Sequence, residues 1–207
     1  AKFYRYFEDI SSKVSEQFSI EELRTPIIEK SELFNRSIGD ATDIVTKEMY
    51  DFIDKSGDSI CLRPEGTASV VRSAIEHSLI YDRGIKKQKY WYYGPMFRHE
   101  KPQKGRYRQF SQFGVEYYGF SDTNSDLELL IMGNSLLNGL NINNATLHIN
   151  SLGNIDDKKK YEKQIFDHIS SHASSLDKYQ TDTLAKNPLR LLDSKSDNVK
   201  ELLLNIP

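Results

Sequence analysis

A single cysteine, Cys61, stands in the 207 residues. One thiol can build neither a disulfide framework nor a cysteine-based metal site, so a reducing, cytoplasmic setting is the expected one. No apolar run approaches the ~20 residues of a membrane-spanning helix, and the N-terminus is not patterned as a signal peptide. Phosphate-binding glycine patterns are missing as well: neither G-x-x-x-x-G-K-[ST] nor G-x-G-x-x-G occurs, so a P-loop or Rossmann site has no support. The formal net charge is only −2, so any contact with nucleic acid has to come from a local patch. His77 and His99 have no partners at metal-ligand spacing and read as structural or surface residues. No internal repeat or low-complexity tract occurs. The sequence begins at Ala1 without an initiator Met and ends at Pro207 after an unfinished helical pattern, which reads as a fragment cut at both ends.

What is present suits a soluble globular protein, with 38% hydrophobic and 28% charged residues and length enough for one large core or two small ones. Phe3, Phe7, Ile10, Val14 and Phe18 recur at helical spacing, predicting an amphipathic helix over about 2–18. Leu23 to Ile28 reads as extended, because Pro26 disfavours helix at Thr25. Ser31 can cap a short helix running to Ile38 and closed by Gly39. Met49–Asp54 and Ser59–Arg63 flank Lys55-Ser56-Gly57-Asp58 as a hairpin. Gly66 to Tyr81 is predicted helical, with Val70, Val71, Ala74, Ile75 and Leu79 as its buried stripe. A further helix is predicted over Asp126–Leu140, closed by Gly139, with Asp126 and Glu128 as an N-terminal charge cluster. A strand follows over Thr146–Asn150, with Leu147 and Ile149 inward. Beyond Ser151, Lys, Asp, Ser and His dominate, and weakly packed helices are expected near 157–170 and 176–186. Strands joined by hairpins predict an α+β fold, an antiparallel β-sheet flanked by helices.

The chain is organised around GPMFRHEKPQKGRYRQFSQFGVE, Gly94 to Glu116. β-prone aromatics lead in and out of a loop, Lys101 to Gly105, built of turn formers. From Arg98 to Arg108 there are five Lys/Arg against one Glu100, a local concentration of positive charge. Alternation places Gly94, Met96, Arg98 and Glu100 on one face of the first arm, and Arg108, Phe110, Gln112, Gly114 and Glu116 on one face of the second. With the turn centred near Lys104, Arg98 lies across from Phe110 and Gly94 from Gly114. Two facing glycines then leave a bare patch of backbone for an elongated ligand. From Phe110 to Glu116 the strand runs roughly 20 Å.

The residue types suit a nucleotide. Arg98 offers a bidentate fork for phosphate or carboxylate, Phe110 a stacking face for a purine, and Glu100 an acceptor for an exocyclic amine. The blander alternative for Arg98 and Glu100 is an ion pair of little worth when exposed. In Arg63-Pro64-Glu65-Gly66-Thr67, Glu65 can bind an ammonium group or simply complement a helix N-terminus, worth ~0.3–1 kcal/mol. Gln112 and Glu116 can take a polar ligand group or form a polar pair between strands.

These stretches resemble a known family. Gly94–Glu116 is similar to motif 2 of the class II aminoacyl-tRNA synthetases, in the form seen in histidyl-tRNA synthetases. Thr25–Asp54 resembles the family's motif 1 region, LRPEGTASVVRSAIEH (Leu62–His77) its Arg-Pro-Glu-Gly-Thr element, and NPLRLLDSK (Asn187–Lys195) a segment before its helical insertion. The resemblance implies part of the class II aminoacyl-tRNA synthetase catalytic-domain fold. Residues 1–155 would form the core with motifs 1 and 2, and 156–207 a mainly helical segment leading to the insertion. It also implies a homodimer through the motif 1 region. The implied reaction activates L-histidine with ATP, accompanied by Mg²⁺, to histidyl-adenylate and transfers the acyl group to tRNA(His). The implied roles place Arg98 at the α-phosphate and substrate carboxylate, Glu100 and Phe110 at adenine, and Arg106 toward the outer phosphates. Glu65, Thr67 and Gln112 would bind the histidine α-amino group, Glu116 the imidazole, and Lys101, Gln103 and Lys104 the tRNA acceptor stem. Motif 3, the later histidine-specific element and the anticodon-binding domain are missing from the sequence, so this fragment alone is expected to be inactive. The main alternative is the histidine-sensing regulatory subunit of ATP phosphoribosyltransferase, which does not need the intact basic loop from Lys101 to Arg108. A generic single-strand nucleic-acid module ranks last, since it leaves Glu65, Gln112 and Glu116 unexplained.

Overall fold

The structure is a computed structural model, and it describes residues 2–38, 42, 44–80, 87–101, 103–151, 153–172 and 175–204. These fall into two units, Ala1–Ala145 and Thr146–Pro207.

In the first unit the helices are α1 (Lys2–Gln17), α2 (Ser31–Ile38), α3 (Thr67–Glu76) and α4 (Thr123–Gly139). The strands are β1 (Glu21–Glu22), β2 (Ile28–Lys30), β3 (Tyr50–Ile53), β4 (Ser59–Leu62), β5 (Gln88–Phe97) and β6 (Gln109–Tyr118), with a π-helical turn at Ile44–Glu48. The strands form two three-stranded sheets, ordered β1-β5-β6 and β2-β4-β3. All pairs are antiparallel except β1 with β5, a two-residue parallel contact that periodicity does not reveal.

The β5–β6 hairpin carries two different faces. Odd-numbered Trp91, Tyr93, Phe113, Val115 and Tyr117 pack with Ile10, Val14 and Phe18 at the C-terminal end of α1 and Met132 and Leu136 of α4. Each large apolar side chain buried there contributes roughly 1.5–3 kcal/mol. The α1 stripe does not hold to its start, since Phe3 is exposed. Even-numbered Tyr90, Tyr92 and Met96 pack instead with Val70 of α3, beside Leu23, Leu79 and Tyr118. In the other sheet, Cys61 of the central strand is covered by Phe34 of α2 and Ala68 of α3. Burial pushes its thiol up to about 11.

Several sequence expectations need correction. The helix expected over 66–81 ends at Glu76, because Ser78 turns left-handed (φ 54°) and Leu79 N–H returns to Ala74 O at 2.8 Å, a Schellman closure. Its stripe keeps Val70 and Ala74, but Ile75 is exposed. Tyr81 and the capping Gly39 lie outside the described residues. α4 starts three residues before Asp126, capped by Asp122 accepting from Ser125 N–H. Asn141 (φ 60°), not Gly139, closes it, with Ile142 N–H returning to Leu137 O at 2.9 Å. Glu128 is no helix-start charge, for it binds Lys89 and the Tyr117 hydroxyl.

The second unit holds α5 (Ile155–Ser170), α6 (Lys178–Lys186), a 3₁₀ turn (Pro188–Asp193) and α7 (Asp197–Leu203). Asn154 and Asp177 start α5 and α6 with reciprocal capping boxes. Its helices are not weakly packed: Ile165, Ile169, Leu184, Leu191 and Val199 share one buried cluster. The strand expected over Thr146–Asn150 does not form. Leu147 and Ile149 are exposed, and alternation alone cannot make a strand without a partner to complete its ladder. No helix among the described residues is long and apolar enough to cross a membrane.

Candidate active site

Gln112 and Glu116, with Phe110, share the even-numbered face of the β5–β6 hairpin, and Arg98 follows directly on β5. The register differs from the expected one by two positions. Gly94 pairs with Gln112, Met96 with Phe110 and Tyr92 with Gly114, while Arg98 N–H donates to Arg108 O at 2.9 Å. A slip of two preserves the face, so Phe110 becomes the diagonal neighbour of Arg98. The Arg98 guanidinium lies over the Phe110 ring, 5.2 Å from its centroid. Arg98 Nε donates to Pro64 O at 2.8 Å, which ties the strand end to the Arg-Pro-Glu-Gly-Thr turn.

Arg98 does not pair with Glu100. The Glu100 carboxylate approaches Arg106 Nη1 at 3.2 Å, yet Oε2 is buried without hydrogen-bond geometry to any partner. Among the described residues Arg98 makes no ion pair, so its remaining donors are uncommitted. Gln112 Oε1 and the Tyr118 hydroxyl, on the even-numbered face of β6, are likewise buried without a partner. Buried polar atoms are nearly always hydrogen-bonded. Two unsatisfied ones, Gln112 Oε1 and the Tyr118 hydroxyl, lie on this one strand face and are open to a partner from outside the chain.

The bare glycine patch is filled by the protein itself. A Cβ on Gly114 would lie 2.2 Å from Tyr92 Cζ, one on Gly66 2.1 Å from Tyr92 Cε2, and one on Gly94 2.5 Å from Arg63 Nη2. The glycines therefore admit the Tyr92 ring and the Arg63 guanidinium. Arg63 is 6% exposed. It donates to Pro95 O (3.0 Å), Thr25 O (2.9 Å), Thr25 Oγ1 (2.9 Å) and Pro26 O (3.3 Å), joining the two sheets behind the site. Burial lowers its pKa. Tyr92, Arg63 and Tyr118 were not singled out from the sequence. The available signal was the glycines, which mark close approach without saying of what.

At the far end Glu116, Thr67, Tyr92 and Glu65 converge. Burial raises the Glu116 carboxyl, a hydrogen bond from Thr67 partly offsets this, and the charge of Glu65 adds to the rise. Glu65 caps α3, its two oxygens accepting from Thr67 N–H (2.6 Å) and Ala68 N–H (2.9 Å). Gln112 and Glu116 lie on one strand, opposite Gly94 and Tyr90, so they form no pair between strands. At the other end Lys101, Gln103, Lys104 and Arg106 are exposed. Arg106 N–H donates to Gln103 O at 2.9 Å, and Gly105 (φ 83°) takes the positive-φ position of the turn. Pro102 lies outside the described residues. Arg106, His99, Lys47 and Glu48 line a cavity beside Glu100.

A family model described as "Histidyl-tRNA synthetase" matches residues 4–193. The chain belongs to the histidyl-tRNA synthetase family. It is 46% identical over 205 residues to a histidine–tRNA ligase of Francisella philomiragia, covering 99% of this chain and 48% of that protein. Against that of Microcystis aeruginosa the identity is 44%, with the same coverage. The chain thus spans about half the length of the curated relatives it matches. The crystal structure of apo Staphylococcus aureus histidyl-tRNA synthetase superposes with a TM-score of 0.75 at 33% identity, covering all of this chain and 52% of that one. An ATP phosphoribosyltransferase regulatory subunit/histidyl-tRNA synthetase from Bacillus halodurans, at 19% identity and a TM-score of 0.59, shares the fold.

Proposed function

We propose that the full-length protein carrying this chain is a histidine–tRNA ligase that activates L-histidine with ATP and transfers it to tRNA(His). Residues 1–155 form the catalytic core in this reading. The observation that carries it is the one face of the hairpin on which Arg98 keeps uncommitted donors at one end and Gln112 and Tyr118 stay unsatisfied further along β6, within a family of synthetases.

The histidine carboxylate is ionised at neutral pH, so its attack on the α-phosphate needs no general base. It needs alignment and charge stabilisation. Arg98 supplies the donors, held by Pro64 O and by stacking on Phe110. Glu100 and Phe110 bound the adenine, and Arg106 meets the outer phosphates. Glu65, Thr67 and Gln112 take the α-amino group and Glu116 the imidazole. Lys101, Gln103 and Lys104, exposed on the loop, meet the acceptor stem. Mg²⁺ enters with ATP as part of the substrate. The protein works in the cytoplasm as a homodimer joined through residues 25–54.

The test is ATP–pyrophosphate exchange by the full-length protein. Exchange should require L-histidine, and Arg98→Lys, which keeps the charge but loses the planar fork, should lower it at least about 100-fold. Absence of histidine-dependent exchange refutes the activity; a fully active Arg98→Lys variant refutes the role of Arg98.

A further inference from the structure

The chain leaves the β5–β6 ladder through three residues bonded to three different segments. Phe97 N–H donates to Arg63 O at 3.0 Å, just past β4, and His99 N–H donates to Glu48 O at 2.7 Å, just before β3. Arg98, between them, sends its N–H to Arg108 O at 2.9 Å. Successive N–H groups of extended backbone point to opposite sides, so this stretch is clamped between the second sheet and the partner arm of the hairpin. Among the described residues His99 is the last on this arm whose N–H reaches another segment before the loop closes on itself at Gln103–Arg106.

One backbone bond fixes a point and leaves the peptide free to pivot about it. The His99 side chain adds a second point. Its ring stands edge-to-face with Tyr50, the first residue of β3, with centroids 5.5 Å apart and planes at 85°, an arrangement that aromatic pairs favour. Tyr50 is in register with Leu62 of β4, so the ring leans on the sheet and not on a loop. Acceptor and ring partner lie two residues apart in one short run, and the two contacts together resist rotation. The residues on either side of His99 are Arg98 and Glu100. Neither contact uses a donor of Arg98, so the clamp fixes the backbone while leaving that guanidinium open.

We propose that His99 is a positioning residue for the ATP end of the site: its ring, braced on Tyr50, sets the direction in which the peptide presents Arg98 and Glu100. This rests on the ligase reading above. It gives a role to a side chain that touches no substrate in that reading, and it makes Tyr50 part of the same support. The imidazole acts through the shape of its ring, not through a proton or a lone pair, which separates it from a histidine that binds phosphate directly.

His99→Ala removes the brace, whereas His99→Phe keeps a ring there and removes both nitrogens. In full-length protein, measured by histidine-dependent ATP–pyrophosphate exchange, His99→Ala should raise KM for ATP about three- to tenfold, the worth of one aromatic pair, and leave KM for histidine unchanged. His99→Phe should hold KM for ATP within about twofold of wild type. Tyr50→Leu should match His99→Ala, and the double variant should be no worse than either alone. An unchanged KM for ATP in His99→Ala, a His99→Phe variant as impaired as His99→Ala, an equal rise in both KM values, or additive losses in the double variant each overturns the inference. Wild-type protein without histidine-dependent exchange overturns the ligase reading instead, and is recognised before any variant is compared.

Discussion

Replacing Gly114 by alanine tests the slot that holds Tyr92. The added Cβ falls 2.2 Å from Cζ, 2.3 Å from Oη and 2.6 Å from Cε1 of the ring. Non-bonded carbons rest about 3.5–4.0 Å apart, so ring or strand has to yield by more than about 1 Å. The ring cannot retreat, because its opposite edge already lies where a Cβ on Gly66 would be, 2.1 Å away. The remaining routes are displacement of β6 or of the first turn of α3, and both are held by the site's own hydrogen bonds. The expected cost is the upper part of the overpacking range, about 3 kcal/mol. Trp91 is the only tryptophan and is 3% exposed on the other face of the same strand, so its fluorescence reports unfolding of this sheet. With a urea slope of about 2 kcal/mol/M, the midpoint should fall by about 1.5 M. Tyr92→Leu in the Gly114→Ala background removes the ring from the clash and should recover part of that loss. A midpoint shift below about 0.3 M, or no recovery in the double variant, refutes the wedge.

Burial raises the Glu116 carboxyl, so the folded chain holds that proton more tightly than the unfolded one, and the ionised form costs stability at neutral pH. Glu116→Gln should therefore be the more stable protein at pH 7, with the gap closing below the ordinary value of 4.5; paired urea titrations that show equal stability at pH 7, or a gap that widens on acidification, contradict this. Glu29 is 7% exposed and accepts from Arg72 Nε at 2.8 Å and Nη2 at 2.7 Å. Arg72→Ala leaves that carboxylate unpaired and should cost about 3 kcal/mol, whereas Arg72→Met with Glu29→Leu should cost less than the single change. Chemical denaturation decides between this and simple additivity.

The even-numbered face of the hairpin was legible in the sequence, because period two survives any even error in register. The register itself was not. The turn does close at Gln103–Arg106, but four residues lie between Arg98 and Gln103 on one arm and only one between Arg106 and Arg108 on the other. The extra backbone leaves the ladder at His99, whose N–H donates to Glu48 O at 2.7 Å. That acceptor belongs to a distant segment, which no local pattern announces. The glycine gap was misread for a related reason. Absence of side chains at Gly66, Gly94 and Gly114 was visible, whereas the identity of the filling groups depends on how two sheets and a helix meet. Two helix closures failed where serine and asparagine took the left-handed position usually left to glycine, at Ser78 and Asn141.

Those two errors share a consequence for the site. The glycine positions are occupied by groups already bonded to the protein, so the end of the face near Glu116 is built before any ligand arrives. Arg63 spans the Thr25–Pro26 segment and Pro95, Tyr92 spans α3 and β6, and Glu65 caps α3 between them. The other end is different. Arg98 is held through one nitrogen and a ring face, Glu100 has only the exposed Arg106 guanidinium against its Oε2, and Arg106 and the loop lysines stand in solvent. A small side chain must be recognised by fixed acceptors, since one hydrogen bond is most of the discrimination available there. A triphosphate and a nucleic-acid end bring enough charge to order flexible cations on arrival. Placing rigidity at Glu116 and freedom around Arg106 therefore matches each end of the hairpin to the ligand group it is proposed to take.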